Sequence, residues 1–202
     1  MKIRAVIFDF GGVLVRMVDD RPRIKLAQQL GIQLEQLDYL VFMSESARKA
    51  SLGEISVGMH WEAVRKALAI APEAMSQFLE QYWSADDVNW ALLEIIHRLR
   101  PKYKVGLLSN AWDDLRHTLH ARWNIDGLFD DLVISAEVKL IKPDPRIFHL
   151  AVDRLAVQPT ETIFIDDIEE NVLAAREEGM VTIHHQDTHQ TINTLSKYVI
   201  IE

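Results

Sequence analysis

Four short segments of the chain carry residue types that suit chemistry on a phosphate group. They are Asp9-Phe10-Gly11-Gly12, Ser109-Asn110, Lys142-Pro143-Asp144-Pro145 and Asp166-Asp167. Magnesium prefers oxygen ligands in octahedral geometry and keeps several waters. Asp9 and Asp167 can supply two carboxylate oxygens, and the backbone carbonyl of Gly11 can supply a third. The segments therefore predict a site for Mg²⁺ as cofactor.

The same segments contain groups that can hold phosphate oxygens. These groups are the side chains of Ser109, Asn110 and Lys142 and the backbone N–H groups of the turn at Gly11 and Gly12. A lysine is a compact point charge that suits the charge building up on phosphate oxygens. A bound cation offsets the repulsion between an anionic nucleophile and a phosphate dianion. Asp9 is then free to attack phosphorus and form an acyl phosphate, which water hydrolyses.

Short apolar runs predict the elements that bring these segments together. Five runs predict buried strands, at residues 3–8, 104–108, 132–134, 162–165 and 180–183. Each is nearly continuous rather than alternating, as in parallel strands covered on both faces. Helical stripes lie between the runs, so the pattern predicts an α/β fold with a doubly wound parallel sheet. Ligands of such sheets bind beyond the carboxyl ends of the strands, where all four segments fall.

One stretch interrupts the alternation of strands and helices. From about Asp20 to about Ser84 the chain shows helical stripes punctuated by glycines and a proline, and no convincing strand. The sequence therefore predicts a Rossmann-like catalytic core at residues 1–17 and 86–202. Residues 18–85 are predicted to form a small all-helical cap inserted after the first strand.

Taken in order, the four segments resemble the four motifs of the haloacid dehalogenase-like hydrolase superfamily. The matching stretches are Asp9-Phe10-Gly11-Gly12-Val13-Leu14, Leu107-Leu108-Ser109-Asn110, Lys142-Pro143-Asp144-Pro145 and Phe164-Ile165-Asp166-Asp167 with Asn171. The resemblance implies that Asp9 is the nucleophile and a magnesium ligand, and that Ser109 and Lys142 hold the phosphate. It also implies that Asp167 is the main ligand from the last motif, with Asp166 supporting the metal and the lysine.

The nearest subgroup by resemblance contains sugar-phosphate phosphatases and the phosphatase domains fused to epoxide hydrolases. The stretch Leu52-Gly53-Glu54-Ile55-Ser56 is similar to a cap segment found there. The resemblance implies a phosphatase that hydrolyses a small phosphorylated metabolite, for example a sugar phosphate.

The residue two positions after Asp9 departs from the commonest pattern of the superfamily. Phosphatases of this group usually carry a second Asp there, as general acid and base, whereas this chain has Gly11. General acid–base help is worth roughly 100- to 10,000-fold in rate. The sequence predicts slow turnover, a leaving group that needs little protonation, or a proton donor from the cap or the substrate. A glycine at this position can also serve a turn that needs a positive φ.

Two other functions compete with a phosphatase. In a haloacid dehalogenase the same Asp attacks carbon, and no metal is needed. Paired acids in the last motif are not typical of that class, so Asp166 and Asp167 favour a phosphatase. The other alternative is a weakly catalytic binding module in which Gly11 marks lost activity; the retained Asp9 and Lys142 argue against it.

Composition limits the partners and the location of the protein. The 202 residues include no cysteine, and the net charge is −8, which disfavours nucleic acid as a partner. No apolar run reaches the roughly 18 residues of a membrane span. The N-terminus runs directly into a strand-like stretch and leaves no room for a signal peptide. We therefore expect a cytoplasmic protein without a membrane partner, of undetermined oligomeric state.

Overall fold

The computed structural model describes residues 2–201 and is built on a five-stranded parallel sheet. The strands are β1 (Ala5–Phe8), β4 (Lys104–Ser109), β5 (Asp131–Ile134), β6 (Thr162–Asp166) and β7 (Val181–His184). Their order across the sheet is β5-β4-β1-β6-β7, with all neighbours parallel. The five predicted strands are confirmed, with ends that shift by one or two residues. The first begins at Ala5 rather than at residue 3.

Helices cover both faces of the sheet, as the doubly wound prediction requires. On one face Val6 and Phe8 of β1 pack with α6 (Trp90–Leu99) and α11 (Thr188–Leu195). On the other face Ala5 and Ile7 pack with α9 (Pro145–Leu155) and with α10 (Glu169–Glu177). Successive strand residues point to opposite faces, so a strand buried on both sides must be apolar throughout. This explains the continuous apolar runs in the sequence.

A second, two-stranded antiparallel sheet joins the core to a helical insert. Its strands are β2 (Val15–Met17) and β3 (Asp86–Val88), with Val15 opposite Val88. Neither strand is predicted by the sequence pattern. Between them lie the helices of the insert: α1 (Arg21–Gln29), α2 (Leu34–Asp38), α3 (Glu45–Ser51), α4 (Val57–Ala67) and α5 (Met75–Trp83). A short π-helical segment, Tyr39–Met43, follows α2.

The insert has an apolar cluster of its own and rests on the core at several points. Leu37, Val41 and Tyr82 are buried within it, and Trp112 of the core packs against the same cluster. Asp113 of the core accepts a hydrogen bond from the backbone N–H of Val57 at 3.0 Å. These contacts hold the insert over the carboxyl edge of the sheet, beside the segment that follows β4.

Close backbone packing fixes a further contact between insert and core. Gly53 has φ +63°, and a Cβ there would lie 2.1 Å from the carbonyl oxygen of Ala136. Ala136 belongs to α8 (Ser135–Val138), directly after β5. A larger residue would push the insert away from the core. No helix within residues 2–201 is long and apolar enough to cross a membrane.

Candidate active site

Strand register places two carboxylates side by side at the carboxyl edge of the sheet. Phe8 of β1 is opposite Ile165 of β6, so the residues that follow them, Asp9 and Asp166, are neighbours. Asp9 is anchored by its backbone N–H, which donates to the carbonyl of Ile165 at 2.8 Å. On the other side of β1, β4 ends at the buried Ser109. The three motif residues thus reach one edge because the strands are parallel and in register.

Lys142 connects the carboxylates of this edge. Its Nζ lies 2.8 Å from Asp9 Oδ1 and 2.6 Å from Asp166 Oδ2, and it donates to the carbonyl of Leu108 at 3.0 Å. The side chain is only 1% exposed. An ammonium group so deeply buried requires compensating partners, and it has three. One positive charge is therefore held rigidly beside the predicted nucleophile.

Asn110 holds the backbone of Lys142 in place. Its Nδ2 donates to the Lys142 carbonyl at 2.9 Å, and its Oδ1 accepts from the Lys142 N–H at 2.8 Å. Both ends of the side-chain amide are thus engaged with the lysine segment. In the structure this side chain therefore positions the lysine segment. The sequence had suggested instead that Asn110 holds phosphate oxygens.

A cluster of three carboxylates offers a site for a metal ion. Oxygens of Asp9, Asp166 and Asp167 lie within 4.8 Å of one another. Asp167 Oδ1 is buried and finds no hydrogen-bond partner within residues 2–201. A buried carboxylate oxygen without a partner is costly unless a cation or water satisfies it. The donor set contains only oxygen, so it fits Mg²⁺ rather than a softer metal.

Asp166 differs from Asp167 because its oxygens already have partners. Besides Lys142, Asp166 accepts hydrogen bonds from the backbone N–H of Ile168 at 2.8 Å and from Asn171 Nδ2 at 3.1 and 3.2 Å. Asn171 is buried in the first turns of α10. These contacts fit a residue that orients the lysine and the loop after β6. In contrast, Asp167 Oδ1 is buried without a hydrogen-bond partner in the part of the chain that the structure describes.

The electrostatics of the cluster follow from its burial. Burial raises the pKa of Asp9 to about 7, and Asp166 adds to the effect, although Lys142 opposes it. Burial also raises the pKa of Asp167, again with a contribution from Asp166. Burial alone would lower the pKa of Lys142, but Asp9 and Asp166 raise it above its usual value. The metal-free cluster therefore carries more negative charge than Lys142 alone can compensate.

The two glycines after Asp9 have different roles. Gly12 has φ +83°, and a Cβ there would lie 2.1 Å from Asp167 Oδ2. Only glycine lets the backbone approach that carboxylate so closely. Gly11 lies outside the left-handed region, and a Cβ there would meet no atom within 4 Å. A turn needing positive φ thus explains Gly12 but not Gly11.

A half-buried histidine of the core and a buried histidine of the insert make specific contacts in the structure. His184, on β7, lies with Nε2 3.0 Å from the carbonyl oxygen of Asp167, so it positions the backbone of a carboxylate in the cluster. Only adjacency to the last strand could have suggested this contact. His60 of the insert is fully buried, with Nδ1 2.9 Å from Ser46 Oγ. Burial lowers its pKa, which the Val41 backbone partly opposes.

Comparison with known proteins agrees with this geometry. The family model for haloacid dehalogenase-like hydrolases matches residues 3–179. The chain belongs to the haloacid dehalogenase-like hydrolases. It is thus a hydrolase of that family, and its parallel sheet with a helical insert is the fold of its structural relatives.

Individual relatives of this haloacid dehalogenase-like hydrolase include phosphatases. It is 27% identical to D-ribitol-5-phosphate phosphatase of Bacteroides thetaiotaomicron, over 92% of this chain and 93% of that protein. A family enzyme from the same organism, solved with magnesium and inorganic phosphate, superposes with a TM-score of 0.75 at 25% identity, over 90% of this chain and 93% of that one.

A longer relative shares only part of its length with this hydrolase. The chain is 30% identical to bifunctional epoxide hydrolase 2 of Rattus norvegicus over 166 residues, which is 79% of this chain. It spans only 28% of that protein. The similarity therefore concerns one portion of a much larger enzyme.

Proposed function

We propose that this hydrolase is a magnesium-dependent phosphatase that forms a phospho-aspartate on Asp9. The observation that carries the proposal is the buried group formed by Asp9, Lys142 and Asp166, with a partnerless carboxylate oxygen of Asp167 beside it. The similarity to D-ribitol-5-phosphate phosphatase supports a phosphate ester as substrate.

Residues around the turn after β1 would hold the metal. Asp9 and Asp167 would contribute carboxylate oxygens, Gly11 its backbone carbonyl, and Asp166 would support the site from behind. When bound, Mg²⁺ supplies positive charge that reduces repulsion between the carboxylate nucleophile and the phosphate. Gly12 keeps room for this arrangement, because any side chain there would collide with Asp167.

The side chains perform the transfer in two steps. Lys142, Ser109 and the backbone N–H groups after Asp9 hold the phosphate oxygens, while an ionised Asp9 oxygen attacks phosphorus. The bond between phosphorus and the ester oxygen breaks, and that oxygen departs with the electron pair and takes a proton from solvent water. Water then attacks phosphorus, which releases inorganic phosphate and restores the Asp9 carboxylate. The ammonium of Lys142 stabilises the charge that develops in both steps.

We further propose that residues 18–85 act as a cap that limits the substrate to a small phosphorylated metabolite. The insert rests on the segment after β4 through Asp113 and on α8 through Gly53. A covered site of this kind admits a small ester and the hydrolytic water but not a bulky phosphoprotein.

The proposal is tested by replacing the nucleophile. Asp9→Asn should lower turnover of 4-nitrophenyl phosphate to below a few per cent of the wild-type rate while the protein remains folded. Asp153→Asn, on the exposed side of α9, is the matched control and should leave turnover unchanged. Activity should vanish with a chelator and return with magnesium. An active Asp9→Asn variant would contradict the assignment.

A dehalogenase makes a different prediction for the same residue. Attack of Asp9 on carbon forms an ester, and water cleaves that ester at the carboxyl carbon, so turnover in ¹⁸O-water labels Asp9. A phospho-aspartate is cleaved at phosphorus, so the label enters phosphate and Asp9 stays unlabelled. Mass spectrometry of the peptide containing Asp9 after turnover distinguishes the two reactions. A pure binding module would show no turnover of either kind.

A further inference from the structure

The reaction geometry determines where the organic part of the substrate lies. The attacking and leaving oxygens are roughly in line through phosphorus. Asp9 attacks from the end of β1, so the leaving oxygen and the group it carries point away from the sheet. The insert covers that side, because it contacts Asp113 beyond β4 and Ala136 beyond β5. The insert surface nearest the segment after β4 is therefore the surface that the leaving group meets.

Beside that segment, Trp112 of the core packs with three aromatic side chains of the insert, and we call these four rings the aromatic wall: Phe42, Trp61, Trp83 and Trp112. Trp112 is stacked with Phe42 at a centroid distance of 6.2 Å and an interplanar angle of 13°. Trp61 lies 5.4 Å from Trp112, edge to face. Trp112 follows Ser109 by three residues, a span of at most about 10–11 Å. The wall therefore begins within one small molecule's length of the phosphate-holding groups.

The polar groups around the aromatic wall are already bonded to one another. The Arg23 guanidinium donates to both oxygens of Asp86 at 2.7 and 2.9 Å and lies over the Tyr82 ring at 4.2 Å. The Tyr82 hydroxyl donates to Asp38 at 2.7 Å. Among the fully buried side-chain nitrogens of the insert within residues 2–201, only His60 Nε2 has no partner. A polyhydroxylated substrate needs several acceptors as well as donors, and the four rings of the wall carry indole N–H donors but no acceptor.

The aromatic wall also continues to solvent as an apolar surface. Phe42 is 44% exposed, and its neighbours Tyr39 and Met43 are exposed as well. All three belong to the π-helical segment Tyr39–Met43, a rare geometry that often occurs at functional sites. An apolar chain that reaches past Trp112 can thus remain in contact with apolar side chains.

We propose that Phe42 and Trp112 contact the leaving group and that the enzyme prefers phosphate monoesters of apolar alcohols or phenols over those of polyhydroxylated ones. This inference rests on the proposed phosphatase function. Burial of each methylene against the aromatic wall increases transition-state binding, whereas a hydroxyl in the same place loses its water and finds no acceptor on the wall for its own hydrogen.

The test is a series of primary alkyl phosphates from ethyl to octyl, with glycerol phosphate as the polar match for propyl phosphate. All of these leave as primary alkoxides, so the effect of Gly11 is common to the series. We expect kcat/KM to rise about two- to fourfold per methylene over the first several carbons. The kcat/KM of propyl phosphate should also exceed that of glycerol phosphate. Phe42→Ala and Trp112→Phe should flatten the slope. Trp90→Ala, an exposed tryptophan on α6, should not change it.

The outcomes separate the inference from the function it rests on. A flat chain-length series, or glycerol phosphate as the better substrate, overturns the apolar preference while the phosphatase function stands. If the slope of kcat/KM against chain length is unchanged in both Phe42→Ala and Trp112→Phe, these two residues do not contact the leaving group. If Phe42→Ala fails to fold, the slope of kcat/KM against chain length in the wild type and in Trp112→Phe tests the proposal. A folded wild-type enzyme inactive on every ester, including aryl phosphates, refutes the phosphatase function instead.

Discussion

Replacing Gly11 by Asp should restore the general acid that the sequence lacks. The backbone accepts the change, because Gly11 is outside the left-handed region and its missing Cβ has no neighbour within 4 Å. A carboxyl group placed there can protonate the leaving oxygen, a contribution of roughly 100- to 10,000-fold where protonation limits the rate. We expect the metal-loaded Gly11→Asp variant to hydrolyse butyl phosphate at least about tenfold faster than the wild type, allowing for imperfect placement. Aryl phosphates should hardly change, because a phenolate leaves without a proton.

The same substitution should destabilise the metal-free protein. Burial and Asp166 already raise the pKa of Asp9 to about 7, so a further carboxylate joins an excess of negative charge. A rise of one to two units in the pKa of the new side chain costs about 1.4–2.7 kcal/mol when that group is ionised. Because a raised pKa disfavours the ionised form in the folded state, the cost is absent below about pH 4 and grows as pH rises through the folded-state pKa. Bound magnesium should restore much of the lost stability.

The assay compares kcat/KM for butyl and 4-nitrophenyl phosphate in saturating magnesium, with thermal unfolding at pH 5 and pH 8. Gly11→Asn is the matched control, since it has the same shape but carries no acidic proton. It should not accelerate butyl phosphate hydrolysis. If a folded, metal-loaded Gly11→Asp enzyme turns over butyl phosphate no faster than the wild type, another group already delivers the proton. The account of Gly11 as the rate limit is then wrong.

Three further predictions follow from the cluster and the insert. Magnesium, measured by calorimetry, should bind about tenfold more weakly at pH 6 than at pH 8, because Asp9, with a pKa of about 7, must lose its proton to bind the metal. The raised pKa of Asp167 acts in the same direction. Equal affinities at the two pH values would contradict this prediction. Gly12→Ala should abolish the magnesium-induced rise in Tm, since its Cβ would lie 2.1 Å from Asp167 Oδ2, whereas Gly11→Ala should keep that rise. Arg23→Met should lower the free energy of unfolding, measured by urea titration, by about 3–5 kcal/mol, because the carboxylate of Asp86 stays buried without its partner. A loss below about 1 kcal/mol would show that the ion pair is dispensable.

The core of the fold was readable from the sequence because its signals are local and strong. Strands buried on both faces must be apolar at every position, and α9 shows its stripe at Ile147, Phe148 and Val152, all buried. Strands β2 and β3 gave no such signal. Their sequences, Val-Arg-Met and Asp-Asp-Val, are three residues long and only partly buried. They form because the chain must leave and re-enter the core at neighbouring points, which is a property of the tertiary structure.

The insert misled the sequence analysis at one position for a similar reason. The apolar residues Ile24, Ala27 and Leu30 recur at helical spacing, a pattern that places Ile24 inside. In the structure Arg23 is buried there, and Ile24 is only partly buried. An amphipathic pattern counts every arginine as exposed. Arg23 is buried because Asp86, 63 residues away, neutralises it and the ring of Tyr82 covers it. No local pattern contains that pairing. Asp9, Ser109 and Asp166 escaped this difficulty because each lies at the end of a strand that the sheet fixes.

The glycine pair and the aromatic wall together suggest which esters this site handles best. Gly12 is required by the backbone, but Gly11 is not, so folding does not demand the absence of a carboxyl group at position 11. An apolar surface beside the leaving oxygen also keeps away the water that could protonate it. Both features disfavour a leaving group that departs as a strongly basic alkoxide. A phenolate avoids both difficulties, because it needs no proton and its ring can stack on Trp112. The ratio of kcat/KM for aryl phosphates to kcat/KM for alkyl phosphates of equal size should therefore be larger in the wild type than in Gly11→Asp. Trp112→Phe should reduce this ratio by lowering kcat/KM for the aryl phosphates.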